Sequence, residues 1–247
     1  MVTAAAQDQW RLLDVQAHDT RLAQLAHRQR TLPEHEQVRR LSTRLAEVRD
    51  ELVLARTAAT DVGREVLKAE NDVEQVRQRA RRDQARLDAG QGSPKDLSAL
   101  QHELEALAQR QSVLEDVELE IMERQEAAEA AVATVSADQE RLAAELAAAE
   151  ARLAEATGGI EEESAKERQA RETAAAGLPG DLLALYERVR QHAGGVGAAR
   201  LYQKRCEGCR IELPPNDIAR IRAAAEDEVV RCEECGRILV RTPESGL

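Results

Sequence analysis

A chain of 247 residues with no phenylalanine and only 1% aromatic residues lacks the bulky side chains that build an ordinary globular core of that size. Charged residues make up 33% of it, which fits long helices with a narrow buried stripe and places the chain in the mainly α class. The formal net charge of -11 argues against a generally basic wrapper of nucleic acid and leaves only local basic patches for that role.

No apolar run reaches the roughly 18 residues of a membrane helix. Met1 to Asp8 shows neither a basic leader nor an apolar stretch, so the expected setting is cytoplasmic, without a membrane partner. From Trp10 onward, Leu12, Val15, Leu22, Leu25 and Leu32 recur at helical spacing. Pro33 then disfavours helix at Leu32, which predicts a break or kink at 32–33 with Pro33 opening the next helix.

The second helix is expected over Glu34 to Asp88. Val38, Leu41, Leu45, Val48, Leu52, Ala55, Ala59, Val62, Val66, Ala69, Val73, Val76, Ala80 and Leu87 alternate three and four residue steps, with Asp83 the exception. This is the period of a coiled coil. Gly90-Gln91-Gly92-Ser93-Pro94 follows as the tip of a hairpin, at 89–94. Ser93 as N-cap, Pro94 at the first helical position and Asp96 in the first turn then open a return helix. Its stripe runs Leu97, Leu100, Leu104, Leu107, Leu114, Ile121, Ala128, Val132, Val135, Leu142, Leu146, Ala149 and Leu153. A short Gly-rich link between two long helices makes them antiparallel neighbours.

Charges flanking the two stripes select a register. It sets Arg86 opposite Asp96, Arg79 opposite Glu103, Asp72 opposite Arg110 and Arg44 opposite Asp138, and it places Gln111 and Gln125 near Ala69 and Ala55. Each such exposed pair contributes on the order of 0.5 kcal/mol, so the pairs choose the register more than they stabilise it.

Past Leu153 the stripe weakens, and Gly158-Gly159 marks a second expected kink at 157–159. Ile160 to Ala176, with its acidic run at 161–163, reads as a solvated helix pairing loosely with the first one. Gly177-Leu178-Pro179-Gly180 stops it, and Asp181 is the expected cap of a short amphipathic helix carrying Leu182, Leu185, Tyr186 and Val189. The expected division is therefore a hairpin over 1–176 and a small C-terminal domain over 177–247 that includes this helix.

All four cysteines lie in that last region, as Cys206-Glu207-Gly208-Cys209 and Cys232-Glu233-Glu234-Cys235-Gly236. Two CxxC turns can direct four thiolates at one centre, the donor set of a structural Zn2+ site, and a short helix over Pro214 to Ala224 would fill the gap between them. Two disulfides or a redox CxxC are the alternatives; a reducing compartment disfavours the first, and the second needs no second pair. One zinc on four thiolates leaves a local excess of negative charge, which Lys204, Arg205, Arg210, Arg231 and Arg237 would offset. Such a closed shell has no position for water or substrate. His18, His27, His35, His102 and His192 read as solvated helix residues, and no phosphate loop or nucleophile elbow occurs, so neither an enzyme nor a small-molecule substrate is expected.

The chain resembles the bacterial C4-type zinc ribbon proteins that carry an N-terminal coiled-coil hairpin. The resemblance rests on Leu32-Pro33-Glu34, on Ser93-Pro94-Lys95-Asp96-Leu97 with Leu100-Gln101-His102-Glu103, and above all on Cys206-x-x-Cys209 and Cys232-x-x-Cys235-Gly236-Arg237-Ile238-Leu239. It implies a long antiparallel coiled-coil hairpin capped by a small four-cysteine zinc ribbon, with those cysteines as ligands. It also implies binding rather than catalysis. Nucleic-acid binding is usually proposed for such ribbons, and some relatives are associated with the alternative sigma factor sigma-54 and flagellar gene expression. Val240 stands where an aromatic often follows the Ile-Leu pair. Two functions are therefore expected to compete. One is an adaptor for a protein partner such as a sigma factor or another transcription component. The other is a nucleic-acid-binding regulator using the ribbon cations and the tip cluster Arg77, Arg81 and Arg82.

Overall fold

In the computed structural model, which describes residues 2–247, helix α1 (Ala6–Arg30) ends just before the Leu32-Pro33 step, and α2 (Pro33–Asp88) starts on the proline. A proline at the first helical position loses nothing, because the amide it lacks would have had no partner there. The tip follows, and α3 (Pro94–Ala175) runs for 82 residues. Then come α4 (Gly180–His192), β1 (Ala198–Tyr202), β2 (Arg205–Cys206), α5 (Pro215–Ala223), β3 (Ile238–Val240) and a 3-10 turn at Pro243–Ser245. No helix among the described residues is long and apolar enough to cross a membrane.

The chain forms two compact units, Glu36–Glu150 and the combination of Met1–His35 with Ala151–Leu247. The division expected at 176/177 therefore does not describe the packing: the first helix and the end of α3 belong with the ribbon, for reasons given below.

In the Glu36–Glu150 unit, the stripes of α2 and α3 meet as the heptad requires. Leu41, Leu45, Val48, Leu142 and Ala149 form a buried cluster with Val38, Val135 and Leu146 against it. At the tip Ser93 and Asp96 cap each other reciprocally: the Ser93 backbone N–H donates to Asp96 Oδ2 at 2.9 Å, and the Asp96 N–H faces Ser93 Oγ at 3.4 Å. Arg79 pairs with Glu103 at 2.7 Å, in the expected register. Members of two other expected pairs also find partners on their own helix, although Arg86 still acts on Asp96 across the tip and lowers its pKa, after the hydrogen bonds from Ser93. Arg44 turns to Glu47 and Glu51 on its own helix, Asp138 to Arg141, and Arg86 to Asp83. An i,i+3 or i,i+4 partner is met without ordering a second helix's side chain, although Arg79 reaches Glu103 across the hairpin more closely than Asp83 on its own helix, at 3.8 Å. Gln111 and Gln125 likewise donate to Glu115 and Glu129 on their own helix.

The other unit is organised around α1. Leu12 and Val15 are buried with Leu178, Leu182, Tyr186 and Val189, and this cluster includes Ala198, Ile238 and Val240 from the strands. That burial is what joins the first helix to the ribbon. The sheet order is β2-β1-β3, with β1 antiparallel to β2 and parallel to β3. Outside that sheet, residues 2–4 pair with 227–229 through an isolated bridge: the Ala4 N–H donates to the Asp227 carbonyl at 2.8 Å.

Helix α3 stays helical through Gly158-Gly159, because two glycines cost only about 1 kcal/mol each against long flanking helix. Two expectations fail here. The stretch after Ile160 does not pair loosely with α1. The Asp19 carboxylate accepts from Arg171 Nε at 2.7 Å and from the Tyr186 hydroxyl at 2.6 Å, and Arg171 also binds Glu187. Gln16 Oε1 accepts from the same hydroxyl at 3.1 Å and from the Gly197 N–H at 2.7 Å. Asp181, the expected cap of α4, lies inside its first turn and Pro179 holds the cap position.

Burial, and next the anionic Asp19, push the Tyr186 phenol far above its ordinary value. The folded state thus holds this proton after the unfolded chain has released it, near pH 10. The stability it contributes is whole below that pH and declines as pH rises above it, because the unfolded state then binds fewer protons. Alkaline denaturation followed by circular dichroism is expected to show this decline in the natural chain and a flatter profile in Tyr186→Phe.

Candidate metal centre

Each pair of cysteines sits on a tight turn that closes in the same way. The Arg210 N–H donates to the Cys206 carbonyl at 2.7 Å, and the Gly236 N–H to the Cys232 carbonyl at 2.8 Å. The fourth residue after the first cysteine is left-handed in both turns, Arg210 at φ 63° and Gly236 at φ 70°. Glycine adopts that conformation freely, whereas arginine is strained in it. Arg210→Gly is therefore expected to leave the fold intact and raise ribbon stability by up to ~1 kcal/mol, read from denaturant unfolding of the ribbon.

The four Sγ atoms lie within 4.8 Å of one another. Cys206 faces Cys235 and Cys209 faces Cys232, both at 3.9 Å, too far for disulfides. Tetrahedral Zn2+ with sulfur at about 2.3 Å would set its ligands roughly 3.8 Å apart, so the donor set and its spacing fit a four-thiolate zinc site. The chemistry agrees. Burial pushes the Cys206 thiol well up and the Cys232 thiol up to about 11. Backbone amides at residues 208 and 209 and at 234 and 235 work the other way, favouring thiolates. Cys235 is drawn below its ordinary value despite burial, with the Arg237 backbone amide foremost among the favourable groups. The buried Cys206 and Cys232 sulfurs remain thiolates only beside a cation, and a divalent metal bound there would supply it.

Cys206 and Cys232 are themselves part of the ribbon core, with Leu201, Leu213, Ile218, Ile221, Val230 and Leu239. Helix α5 supplies Ile218 and Ile221 and occupies Pro215–Ala223, within a residue of the expected span.

The candidate cations divide into two groups. Arg237 is structural: it donates to the carbonyls of Ala193 at 2.7 Å, Val196 at 3.2 Å and Gly208 at 3.3 Å. Its Cδ would lie 2.6 Å from a Cβ at position 208, which explains the glycine in the first turn. Arg231 donates to the Gly236 carbonyl at 2.7 Å. Lys204, Arg205 and Arg210 are exposed along the β1–β2 turn and first knuckle, and Arg205 stands opposite the exposed Tyr202. At the other candidate locus, Arg77 pairs with Glu115 at 2.6 Å and Arg81 with Glu74 at 3.8 Å, while Arg82 is exposed.

Sequence reasoning missed Arg241. Its guanidinium donates to the carbonyls of Ile221, Ala224, Ala225, Glu226 and Glu228, holding the end of α5 and the loop after it. Trp10 Nε1 donates to the Arg241 carbonyl at 2.6 Å. No spacing rule announces an arginine that serves backbone carbonyls, because its partners are set only by the fold.

The sequence pattern of the CT398-like coiled coil hairpin domain matches residues 15–194, and that of the C4-type zinc ribbon domain matches 205–239. The chain belongs to the CT398-like coiled-coil hairpin family. Both patterns describe structural domains, not enzyme families. An uncharacterized protein of Mycobacterium tuberculosis is 40% identical over 238 residues, covering 96% of this chain and 97% of that one. A solved structure from Mycobacterium smegmatis matches with a TM-score of 0.85 at 36% identity, over 98% of this chain and 100% of the other. The structure of CT398 from Chlamydia trachomatis has a TM-score of 0.67 at 18% identity, over 96% and 98% of the two chains, and shares the fold. The CT398-like hairpin thus accompanies a four-cysteine ribbon in this chain, and its zinc ribbon segment contains all four clustered sulfurs.

Proposed function

We propose that this protein is a non-enzymatic adaptor in which one structural Zn2+, held by Cys206, Cys209, Cys232 and Cys235, fixes a ribbon that docks a protein partner. The observation that carries the reading is how many of the candidate cations are already engaged. Arg77 and Arg81 face carboxylates, and Arg231 and Arg237 face backbone carbonyls, which weakens the case for a phosphate-binding surface. A closed four-thiolate shell offers no site for chemistry. The surface left to a partner is the β1–β2 edge, with Tyr202, Lys204, Arg205, Arg210 and the exposed Ile211. An aromatic and an aliphatic side chain among cations fit an acidic protein surface, and a transcription component such as a sigma factor is the partner class the resemblance points to.

Nucleic-acid binding is the second reading, favoured by Tyr202 beside Arg205, where a base could stack. One experiment separates them. The zinc-loaded chain is titrated into labelled single-stranded RNA and duplex DNA at two salt concentrations, and is used in parallel as bait with Tyr202→Ala, Arg205→Glu as control. The adaptor reading expects no salt-sensitive nucleic-acid binding and one captured protein that the variant loses. Tight binding that falls steeply with salt and disappears in the variant would replace it with the nucleic-acid reading.

A further inference from the structure

The hairpin unit presents large apolar side chains to solvent midway along its length. Leu67 is 61% exposed, Leu119 59% and Met122 45%. Heptad positions that pack only within a hairpin do not call for leucine and methionine on the outer faces. Nearer the tip, a groove of about 520 Å3 is lined by Ala80, Ala85, Leu104 and Ala108, with Arg81, Gln84, Asp88 and Gln111 as its polar residues. Patch and groove lie on the same face of the hairpin: Leu67 stands two heptads before Arg81 on α2, and Met122 two heptads after Ala108 on α3. Along the helices they are roughly 21 Å apart.

We propose that this face pairs with a second copy of the chain, antiparallel and about a two-fold axis, so that the patch of each copy fills the groove of the other. The offset decides the arrangement. Because patch and groove are displaced along one face, an antiparallel two-fold that sets one patch on one groove sets the reciprocal pair in place as well, and the interface closes. A parallel pairing would lay patch on patch instead. It would also set the exposed Glu123 and Glu126 of one copy beside those of the other, while the intervening Arg124 is held by Glu65 of its own hairpin at 2.9 Å. The antiparallel pairing brings those carboxylates towards Arg81, whose own contact with Glu74 is long at 3.8 Å. Shape agrees with charge, as leucine and methionine side chains meet a surface lined by alanines. This inference is independent of the adaptor reading.

The test is sedimentation velocity on the full zinc-loaded chain, with reductant present, from about 1 to 100 μM. The expected species is a dimer of the 27.2 kDa chain. Leu119→Glu, Met122→Glu on the patch and Ala108→Glu in the groove should each raise the dissociation constant at least tenfold, with the helical circular dichroism signal unchanged. Arg81→Glu should weaken the dimer too, and adding Glu123→Arg, Glu126→Arg to it should restore association. A chain that stays monomeric throughout overturns the proposal, as does a dimer indifferent to both the patch and the groove variants.

Discussion

Removing the metal with a chelator, or replacing Cys206 with serine, is expected to unfold the ribbon outright while the hairpin helices keep their circular dichroism signal. The ribbon core is small: beyond Cys206 and Cys232, its buried side chains are Ala199, Leu201, Leu213, Ile218, Ile221, Val230 and Leu239. Lobes of this size rarely hold themselves together by apolar burial, and structural zinc contributes on the order of 10–16 kcal/mol to comparable peptides. The amides of each knuckle favour thiolates on that knuckle's own cysteines, so without a cation the four sulfurs repel one another at close range. Hydrogen exchange supplies the readout. The Leu239 amide, which donates to the Val230 carbonyl at 2.9 Å, and the Ile238 amide, which donates to the Gly197 carbonyl at 2.9 Å, should lose protection on chelation. Amides within α2 should not change, since that helix packs in the Glu36–Glu150 unit. Ribbon amides that stay protected after the metal is gone would show that the apolar core suffices and that the cysteines are not its organising centre.

What the sequence made legible follows from which interactions leave a local trace. A heptad is written in every seventh position, so the two long helices, their antiparallel turn at Gly90 to Pro94 and the break before Pro33 could be read directly. The cysteine pairs were equally plain, because metal coordination dictates both residue type and spacing. Side chains whose partners come from distant segments left no such trace. Gln9, Gln16 and Asp19 are buried, yet on the first helix each reads as an ordinary solvated polar residue. Arg237 reads as a cation offsetting the thiolates and Arg241 carries no signal at all, yet both are fixed to backbone carbonyls. Even the charge register was only partly readable: Arg79 and Glu103 meet across the hairpin, whereas Arg44 and Arg86 turn to acids on their own helix. The boundary between the two units was hidden for the same reason. Leu12 and Val15 announce an amphipathic helix but not which element they will cover.

Asp19→Ala is expected to cost about 3–5 kcal/mol of the stability of the unit that contains the ribbon, more than any other single substitution outside the cysteines. The carboxylate is almost wholly buried, its side chain 4% exposed, and it is the common acceptor for Arg171 at 2.7 Å and the Tyr186 hydroxyl at 2.6 Å, with Arg190 at 3.6 Å. Removing it leaves a partly buried guanidinium and a fully buried phenol without their principal acceptor, and such orphaned groups retain their full desolvation penalty. Arg171 would keep Glu187, and the phenol would keep Gln16 at 3.1 Å, which sets the upper limit of the loss. Asp19→Asn preserves the shape and an acceptor for the phenol, so it should fall between alanine and the natural chain. Tyr186→Phe removes one donor and should cost about 1–2 kcal/mol. Because these groups share one network, the losses cannot add: the double variant Asp19→Ala, Arg171→Ala should be more stable than the sum of its parts by at least ~0.5 kcal/mol. Urea unfolding monitored on ribbon amides measures these four variants and the single Arg171→Ala that the comparison needs. Strict additivity would mean that Arg171 and Asp19 stabilise the junction of α1, α3 and α4 separately, and that the short contacts between them contribute nothing of their own.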